Sequence, residues 1–488
     1  MSQATDQRPA GTAGAAGAAG SAPGASGAAA RWPDVMNVPP GGPRATIARM
    51  LLRRIAARVR FRVAPAGGRP FGRGGPDAPV MVLHRPADFY RRVGAGGLIG
   101  LGESYMAGDW DCADLTGLLT ELARQVDRLV PQRLQWLRRA YVRRPPPGDD
   151  SSVQNARRNI GRHYDLSNDL FALFLDETMT YSAALFDESA AFDESAAFDE
   201  GPAFDEGPAF DEGPAFDERT AGAPVASAGL LAAAQRRKID RLLDLTGVGP
   251  GSRVLELGTG WGELAIRAAA RGASVLTVTL SAEQRALAQR RIAEAGLADS
   301  VTVQLTDYRR VRGQFDAILS VEMIEAVGER YWPAYFTALD GLLAPGGRIG
   351  LQSITMPHRR MMATRHTLTW ILKYVFPGGL IPSVTSIERN LAARTSLRVA
   401  GRRDFGAHYA ETLRIWRERF CDGAGQLPEL GFDEIFRRMW LLYLCYSEAG
   451  FRSGYLDVSQ FLIIRDASDG GGGGDSDTST TNRRDQPR

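Results

Sequence analysis

The stretch that decides the fold is Val254-Leu-Glu-Leu-Gly-Thr-Gly-Trp-Gly-Glu263. Its apolar start predicts a short buried strand, and residues 263–270 predict a helix. The three glycines between them predict a tight turn, because glycine tolerates unusual backbone angles and lets a ligand approach closely. A nucleotide-type ligand fits the crevice at the carboxyl end of such a strand. The G-x-G-x-G spacing departs from the G-x-G-x-x-G of dinucleotide-binding folds, so the motif alone also leaves a plain turn open.

Four more apolar runs follow this stretch, and helical segments separate them. The runs cover residues 273–280, 301–305, 315–321 and 347–354. Alternating strands and helices predict an α/β fold with a doubly wound parallel sheet. Polar residues come where the strands end, which is the edge of such a sheet where ligands bind.

Several separate motifs occur in one order along the chain. They are Arg162 to Phe171, Met179 to Ser182, Val254 to Glu263, Thr279 to Gln284, Asp307 to Arg309, Glu322 to Gly328, Lys373 to Gly379 and Phe451-Arg452. Together they resemble the S-adenosylmethionine methyltransferases of the cyclopropane-fatty-acyl-phospholipid synthase family, over roughly residues 71–466. The resemblance implies a Rossmann-like class I methyltransferase sheet with helical lipid-channel insertions, plus a small amino-terminal α/β domain.

The resemblance also implies a set of functional residues. S-adenosylmethionine would be bound by Tyr181, Ser182, Gly258, Thr259, Gly260, Trp261, Gly262, Thr279, Leu280, Gln284, Asp307 and Tyr308. A bicarbonate ion would act as the base, and its expected catalytic surroundings are Glu325, Tyr409, Gln352, Ile354 and Ala183. No metal site is implied.

The chemistry that the resemblance implies is demanding. Methyl transfer to an alkene leaves a cation on the acyl chain, so the site needs a dry pocket, close positioning and a base. A strong nucleophile in the protein would itself be methylated, and the sequence offers no Ser-His-Asp or Cys-His arrangement.

Three positions depart from the family pattern. Alanine stands at 183 for a cysteine, Gln352 for a histidine, and Ala326 for the histidine that usually follows the glutamate. The contact at 183 is through the backbone, so alanine can preserve it. Glutamine can hydrogen-bond an anion but cannot carry a proton at neutral pH. We therefore expect methyl transfer to an unsaturated phospholipid acyl chain, with a cyclopropane product as the family default. A methylene- or methyl-branched chain of the 10-methylene stearate type is the alternative, because residues 352–357 look closer to actinobacterial relatives that make such chains.

Length and composition limit the number of domains, the class of partner and the cell compartment. The chain has 488 residues, of which 44% are hydrophobic, enough for two or three domains with a sizeable core. The net charge of +3 does not indicate nucleic acid as a partner. Cys112, Cys421 and Cys445 lie far apart, which speaks against a disulfide framework or a zinc site and favours a reducing cytoplasm. No apolar run is long enough to span a bilayer.

The sequence divides into four segments. Residues 1–43 are predicted as a disordered tail, 44–148 as an accessory domain, 149–466 as the methyltransferase domain, and 467–488 as a second disordered tail. Within the methyltransferase domain, residues 187–222 are predicted as a disordered insertion, because a Phe-Asp-Glu-x-x-Ala unit starts at Phe186 and repeats every six residues. A period of six suits neither helix nor strand.

A basic helix is predicted at residues 45–61. Ile47, Leu51, Ile55 and Val59 share one face, and arginines flank it. Such a helix can lie on an anionic membrane, or it can pack on its own domain as a solvated helix, and both options stay open. With the first option the protein would be cytoplasmic and peripheral on the inner face of the cell membrane; a homodimer is a further option.

The family resemblance implies that the helices after the fifth strand line a channel for the acyl chain, and the expected lining is residues 361–376, with Trp370, Tyr374 and Phe376. Methionine and aromatic residues at helical spacing are by themselves more typical of a core, so both options stay open. Two other functions compete with a lipid methyltransferase. A nicotinamide dehydrogenase is disfavoured because Leu280 and Ser281 stand where an acid should bind the ribose. A non-catalytic membrane-binding protein is disfavoured by the intact glycine loop with Glu325 and Tyr409.

Overall fold

The computed structural model describes residues 31–126, 167–187 and 224–465. The inner copies of the repeat and the motif residues Arg162 to Leu166 lie outside these ranges.

The described chain has sixteen α-helices and ten strands. The amino-terminal part holds α1 Pro33–Met36, α2 Pro43–Ala56, β1 Arg62–Pro65, β2 Val80–Leu83, α3 Pro86–Gly96, α4 Leu98–Met106, β3 Trp110–Cys112 and α5 Leu115–Arg124. The central part holds α6 Asn168–Ala172, α7 Pro224–Thr246, β4 Arg253–Leu257, α8 Glu263–Ala270, β5 Ser274–Thr279, α9 Ala282–Glu294, β6 Val301–Leu305, β7 Phe315–Val321, α10 Ile324–Val327, α11 Trp332–Leu342 and β8 Leu343–Thr355. The last part holds α12 His358–Thr364, α13 Trp370–Tyr374, α14 Val384–Arg394, β9 Leu397–Asp404, α15 Gly406–Asp422, α16 Glu434–Arg452 and β10 Asp457–Arg465.

The large sheet has seven strands in the order β6-β5-β4-β7-β8-β10-β9. Its first five members run parallel, and β10 is antiparallel to both of its neighbours. The strand order reverses between β4 and β7, which makes the carboxyl ends of these two strands the natural ligand crevice. The predicted α/β sheet is confirmed, and each predicted strand from 254 onward is present.

Helices cover both faces of this sheet, as the nearly continuous burial along β4 and β7 requires. Leu255 and Ile318 face one hydrophobic cluster with α11 and α14. Val254 and Ala317 face the other cluster with α7, α8 and α9. The doubly covered sheet holds the ends of β4 and β7 in fixed positions beside each other.

The folded part of the chain begins before residue 43, so that boundary of the predicted tail is wrong. Val35 is buried, and the indole of Trp32 donates a hydrogen bond to Asp433 across 2.8 Å. The guanidinium of Arg92 donates to the carbonyls of Asp34 and Asn37. This short segment docks on the folded protein through Trp32, Val35 and the two carbonyls that Arg92 contacts. The preceding sequence is rich in Ala and Gly, whose side chains cannot make such contacts.

The predicted basic helix is shorter than expected, because α2 ends at Ala56. Val59 and Phe61 beyond it are buried under the small sheet β1-β2-β3. Ile47 and Leu51 in contrast are exposed. The apolar face inferred from the sequence therefore divides between a solvent-facing part and a core part.

The amino-terminal elements share one hydrophobic cluster with α15 and α16. Arg438 on α16 ties the two parts together by donating to the carbonyls of Tyr105 and Trp110 and to the Asp111 carboxylate. Trp370 packs against Met106 and so tightly on Gly102 that a methyl group there would lie 2.3 Å from the indole. The Tyr374 hydroxyl donates a hydrogen bond to Glu103, so Tyr374 and Trp370 both connect the carboxyl-terminal part to the amino-terminal part. The prediction that these two side chains line a channel is therefore wrong.

Within the described ranges, no helix has the length and apolar character that crossing a bilayer requires.

Candidate active site

The glycine loop after β4 adopts the geometry that its sequence predicts. Gly258, Gly260 and Gly262 all have positive φ, at 95°, 51° and 93°. A Cβ on Gly260 would meet no atom within 4 Å, so this residue faces open space. A Cβ on Gly262 would approach Ala288 to 3.3 Å, so this glycine lets α8 pack against α9. Gly262 thus serves the packing of the fold, whereas Gly260 leaves space above the loop.

A cleft lies over this loop at the carboxyl ends of β4, β5 and β7. Ten of the twelve predicted cofactor residues line it: Tyr181, Ser182, Gly258, Thr259, Gly260, Trp261, Thr279, Leu280, Gln284 and Tyr308. Gly262 and Asp307 do not. The Asp307 carboxylate is instead held by Arg309, whose guanidinium donates to both carboxylate oxygens at 2.8 and 2.6 Å. That ion pair orders the turn after β6, which carries Tyr308 into the cleft.

The chain before the insertion closes the cleft from the other side. The Tyr181 ring stacks on Trp416, and its hydroxyl lies 2.6 Å from that of Tyr443. The ammonium group of Lys238, fully buried on α7, donates to the Ser182 hydroxyl across 2.6 Å. Burial lowers the pKa of Lys238 to about 8, while the negative charge of Glu322 opposes this shift.

A second group of polar residues surrounds Glu322, the first residue after β7. Its Oε1 accepts hydrogen bonds from the backbone N–H of Ala183 and from the side-chain amide of Gln352, each at 2.9 Å. Its Oε2 accepts from the Tyr409 hydroxyl at 2.7 Å. Three of the five predicted catalytic residues therefore converge on one carboxylate that the sequence analysis did not assign.

The backbone of Glu322 is strained. Its φ is +49°, one of two positive values at non-glycine residues in the described chain; the other, Met179, also lines the cleft. Such conformations cost energy and persist where the surroundings hold them, often at functional sites. Here the backbone N–H of Glu322 donates to the carbonyl of Gln352 on the adjacent strand β8.

Glu325 takes a different place from the one expected. Its Oε1 accepts from the backbone N–H of Ile354 at 2.6 Å and from the Ser353 hydroxyl at 3.0 Å. Its Oε2 is buried and has no partner among the described residues. The α10 turn directs Glu325 toward β8, and the Tyr409 hydroxyl donates to Glu322 instead, so that Glu325 and Tyr409 contact different groups in this structure. Glu325 and Ile354 do lie together, as expected.

Burial sets the protonation of this pair of carboxyls. It raises the pKa of Glu325 to about 8, and the negative charge of Glu322 adds to the rise. Burial also raises the pKa of Glu322, against the stabilising hydrogen bonds from Ala183, Tyr409 and Gln352. Two neighbouring buried carboxyls disfavour double ionisation, and the three donors on Glu322 make it the one that is better suited to carry the charge.

The site contains two residues, Glu322 and Lys238, that were not predicted from the sequence. The available signal for Glu322 was its position directly after β7, at the ligand edge of the sheet. Lys238 lies in the middle of α7, where its spacing resembles that of an exposed helix residue.

Comparisons with known proteins agree with this geometry. The family model of mycolic acid cyclopropane synthetases (CMAS) matches residues 151–201 and 220–461. The unmatched gap falls within the acidic repeat.

The chain is 53% identical over 439 residues to the tuberculostearic acid methyltransferase UfaA1 of Mycobacterium tuberculosis (strain ATCC 25618 / H37Rv), covering 89% of this chain and 96% of that relative. It is 32% identical over 399 residues to the cyclopropane-fatty-acyl-phospholipid synthase of Escherichia coli (strain K12), covering 80% and 90%.

Among solved structures, it resembles mycolic acid cyclopropane synthase CmaA1 complexed with SAH and CTAB. The TM-score is 0.51 at 28% identity, over 63% of this chain and 97% of that one.

Proposed function

The chain belongs to the mycolic acid cyclopropane synthetase family and is an S-adenosylmethionine-dependent methyltransferase, and from this premise we propose that it methylates the double bond of an unsaturated phospholipid acyl chain. The observation that carries the proposal is the position of Glu322 and Tyr409. Their hydrogen-bonded pair lies at the end of β7, next to the glycine loop after β4. A methyl donor bound on the loop would thus have a buried proton acceptor beside it.

The described residues fit S-adenosylmethionine. Gly260 leaves open space above the loop, and the cleft residues Thr279 and Gln284 hydrogen-bond each other at 2.9 Å on its far side. Tyr181 and Trp261 also line the cleft, and aromatic rings favour a cation such as the sulfonium of this cofactor. The bound cofactor would supply an electrophilic methyl group.

The chain's own residues would exclude water and stabilise the cation. Phe451 packs on Tyr409 with ring centroids 4.5 Å apart, and Tyr409 also meets Trp416 edge to face. These rings exclude water from the Glu322 carboxylate and present π faces to a cation formed on the lipid.

The product has two candidates. A cyclopropane is the family default, supported by the relationship to the E. coli synthase. A methylene or methyl branch is supported by the greater identity to a relative named for tuberculostearic acid, a methyl-branched fatty acid. At 53% against 32% identity, the branched product has the stronger support.

We also propose that the protein reaches its lipid by binding the membrane surface through α2. Met50 is 59% exposed and Leu51 52%, and Ile47 lies on the same side by helical spacing. Arg54 continues that side, and Arg58 follows in the turn after α2; both are exposed. Exposed apolar residues next to arginines suit the interface of an anionic bilayer, such as the inner face of a cell membrane.

The test is expression in a host whose phospholipids contain oleate. We expect a new fatty acid with one carbon atom more than oleate, detected by mass spectrometry of the released methyl esters. Unchanged host lipids, from a folded protein that binds S-adenosylmethionine in calorimetry, would contradict the proposal.

A further inference from the structure

The family resemblance implies a bicarbonate ion as the base, but the residues of this chain do not fit one. Its expected contacts include the backbone N–H of Ala183, the side chain of Gln352 and the hydroxyl of Tyr409. All three donate to the Glu322 carboxylate, at 2.9, 2.9 and 2.7 Å. A fourth expected contact, the backbone N–H of Ile354, donates to Glu325 at 2.6 Å. The donors of an anion site are thus present, and carboxylates of the chain use them.

We propose that the carboxylate of Glu322 is the general base of the reaction and replaces an external anion. This inference rests on the proposed function and adds the identity of its proton acceptor. A carboxylate has the same planar O–C–O arrangement as bicarbonate, and it can accept the same set of hydrogen bonds.

Three further observations support this role for Glu322. It lines the cofactor cleft, whereas Glu325 does not. Its φ of +49° is unfavourable for a side chain, yet this conformation is what directs the carboxylate toward Ala183 and Tyr409. Among the described contacts, Oε2 accepts one hydrogen bond, which leaves a lone pair for a proton.

The proposed reaction begins with methyl transfer and ends with proton transfer to Glu322. The π electrons of the alkene form the new bond to the methyl carbon, and the electron pair of the S–CH₃ bond stays on sulfur, leaving a cation on the acyl chain. Oε2 of Glu322 then takes a proton from the transferred methyl group. The released C–H pair either closes the three-membered ring or, after a hydride shift between the two former alkene carbons, forms an exocyclic methylene. The proton on Glu322 leaves to solvent before the next turnover.

Two substitutions at one position separate this proposal from an external base. Glu322→Gln keeps the size and an acceptor oxygen, but it removes the basic group and leaves no room for an anion. Glu322→Gly removes the side chain, suits the positive φ, and opens a space that the donors of Ala183, Gln352 and Tyr409 surround.

The first measurement is turnover in carbonate-free buffer and with added bicarbonate. We expect the parent to be indifferent to bicarbonate, and Glu322→Gln to lose about 10²–10⁴-fold in turnover in both buffers, the range for a lost general base. Glu322→Gly should be as poor as Glu322→Gln without bicarbonate and regain activity with it. Parent activity that depends on bicarbonate, or a Glu322→Gln variant with parental turnover, would overturn the proposal.

The second measurement does not need turnover. Binding of ¹³C-labelled bicarbonate to each protein, saturated with S-adenosylhomocysteine, is followed by NMR. We expect site-specific binding to Glu322→Gly and none to the parent or to Glu322→Gln. Binding to the parent that Glu322→Gly leaves unchanged would overturn the proposal. A parent that binds S-adenosylmethionine but methylates no phospholipid would contradict the proposed function instead.

Discussion

The hydroxyl of Tyr409 donates a 2.7 Å hydrogen bond to Glu322, although 87 positions separate the two residues in the chain. Glu322 directly follows β7 of the methyltransferase sheet, and Tyr409 lies in the first turns of α15, beyond the sixth strand of that sheet. The added carboxyl-terminal helices therefore contribute a residue to the candidate active site, in addition to their packing against the amino-terminal elements.

Removal of this hydrogen bond should reduce turnover without reducing cofactor binding. Tyr409→Phe keeps the ring contact with Phe451 but takes one donor from a charged acceptor, an interaction of about 1.5–3 kcal/mol. We expect turnover to fall by about ten- to a hundredfold. The control is Tyr335→Phe, which removes a buried hydroxyl bonded to Ser320 at 2.9 Å and does not itself line the cleft. Equal turnover of the two variants would contradict the role of Tyr409.

A side chain at Gly260 should block the cofactor. Gly260→Val introduces a branched side chain into open space above the loop at a φ of +51°. We expect S-adenosylmethionine binding to become undetectable by calorimetry. The control is Gly251→Val, which suffers comparable backbone strain at a φ of +79° but lies before β4, at the opposite edge of the sheet. Binding that survives in Gly260→Val would place the cofactor elsewhere.

The stability of the protein should fall as the pH rises from about 5 to 8. The pKa of Glu325 is raised to about 8 in the folded protein from its usual 4.5, because of burial and the charge of Glu322. A carboxyl with a raised folded pKa contributes stability below its unfolded pKa and loses it as the pH passes through the folded one. Glu325→Gln cannot titrate, so its free energy of unfolding in urea should depend less on pH. The same pH slope in both proteins would contradict this assignment.

Charge reversal on α2 and in the turn that follows it should weaken membrane binding. Arginines near an anionic surface contribute about 1 kcal/mol each. Arg54→Glu with Arg58→Glu should therefore reduce co-sedimentation with anionic vesicles, and added salt should reduce it for the parent. Arg53 is left in place because its guanidinium lies over the Phe71 ring at 5.3 Å. Unaltered sedimentation of the double variant would place the lipid contact on another surface.

The sheet could be predicted from the sequence because each strand and turn is marked by residues that are adjacent in the chain. The apolar run before Gly258 and the positive-φ glycines behave as their residue types require, and the same holds for the strands that follow. The site was only partly predictable. Tyr409 and Gln352 were named through the family resemblance, but their common partner is decided by a strained backbone angle at Glu322. The segment that contains Trp370 was assigned to a lipid channel through the family resemblance. Only the fold shows that Trp370 packs on Gly102.

The central claim is tested most directly with purified protein, vesicles of an oleoyl phospholipid and S-adenosylmethionine labelled with ¹³C in the methyl group. After hydrolysis, NMR of the fatty acids shows where the labelled carbon is bonded. We predict that it is attached to the former double bond, as a cyclopropane methylene at high field or as a vinylidene carbon. Oleate without label, while the protein binds S-adenosylmethionine and remains folded, would contradict the account.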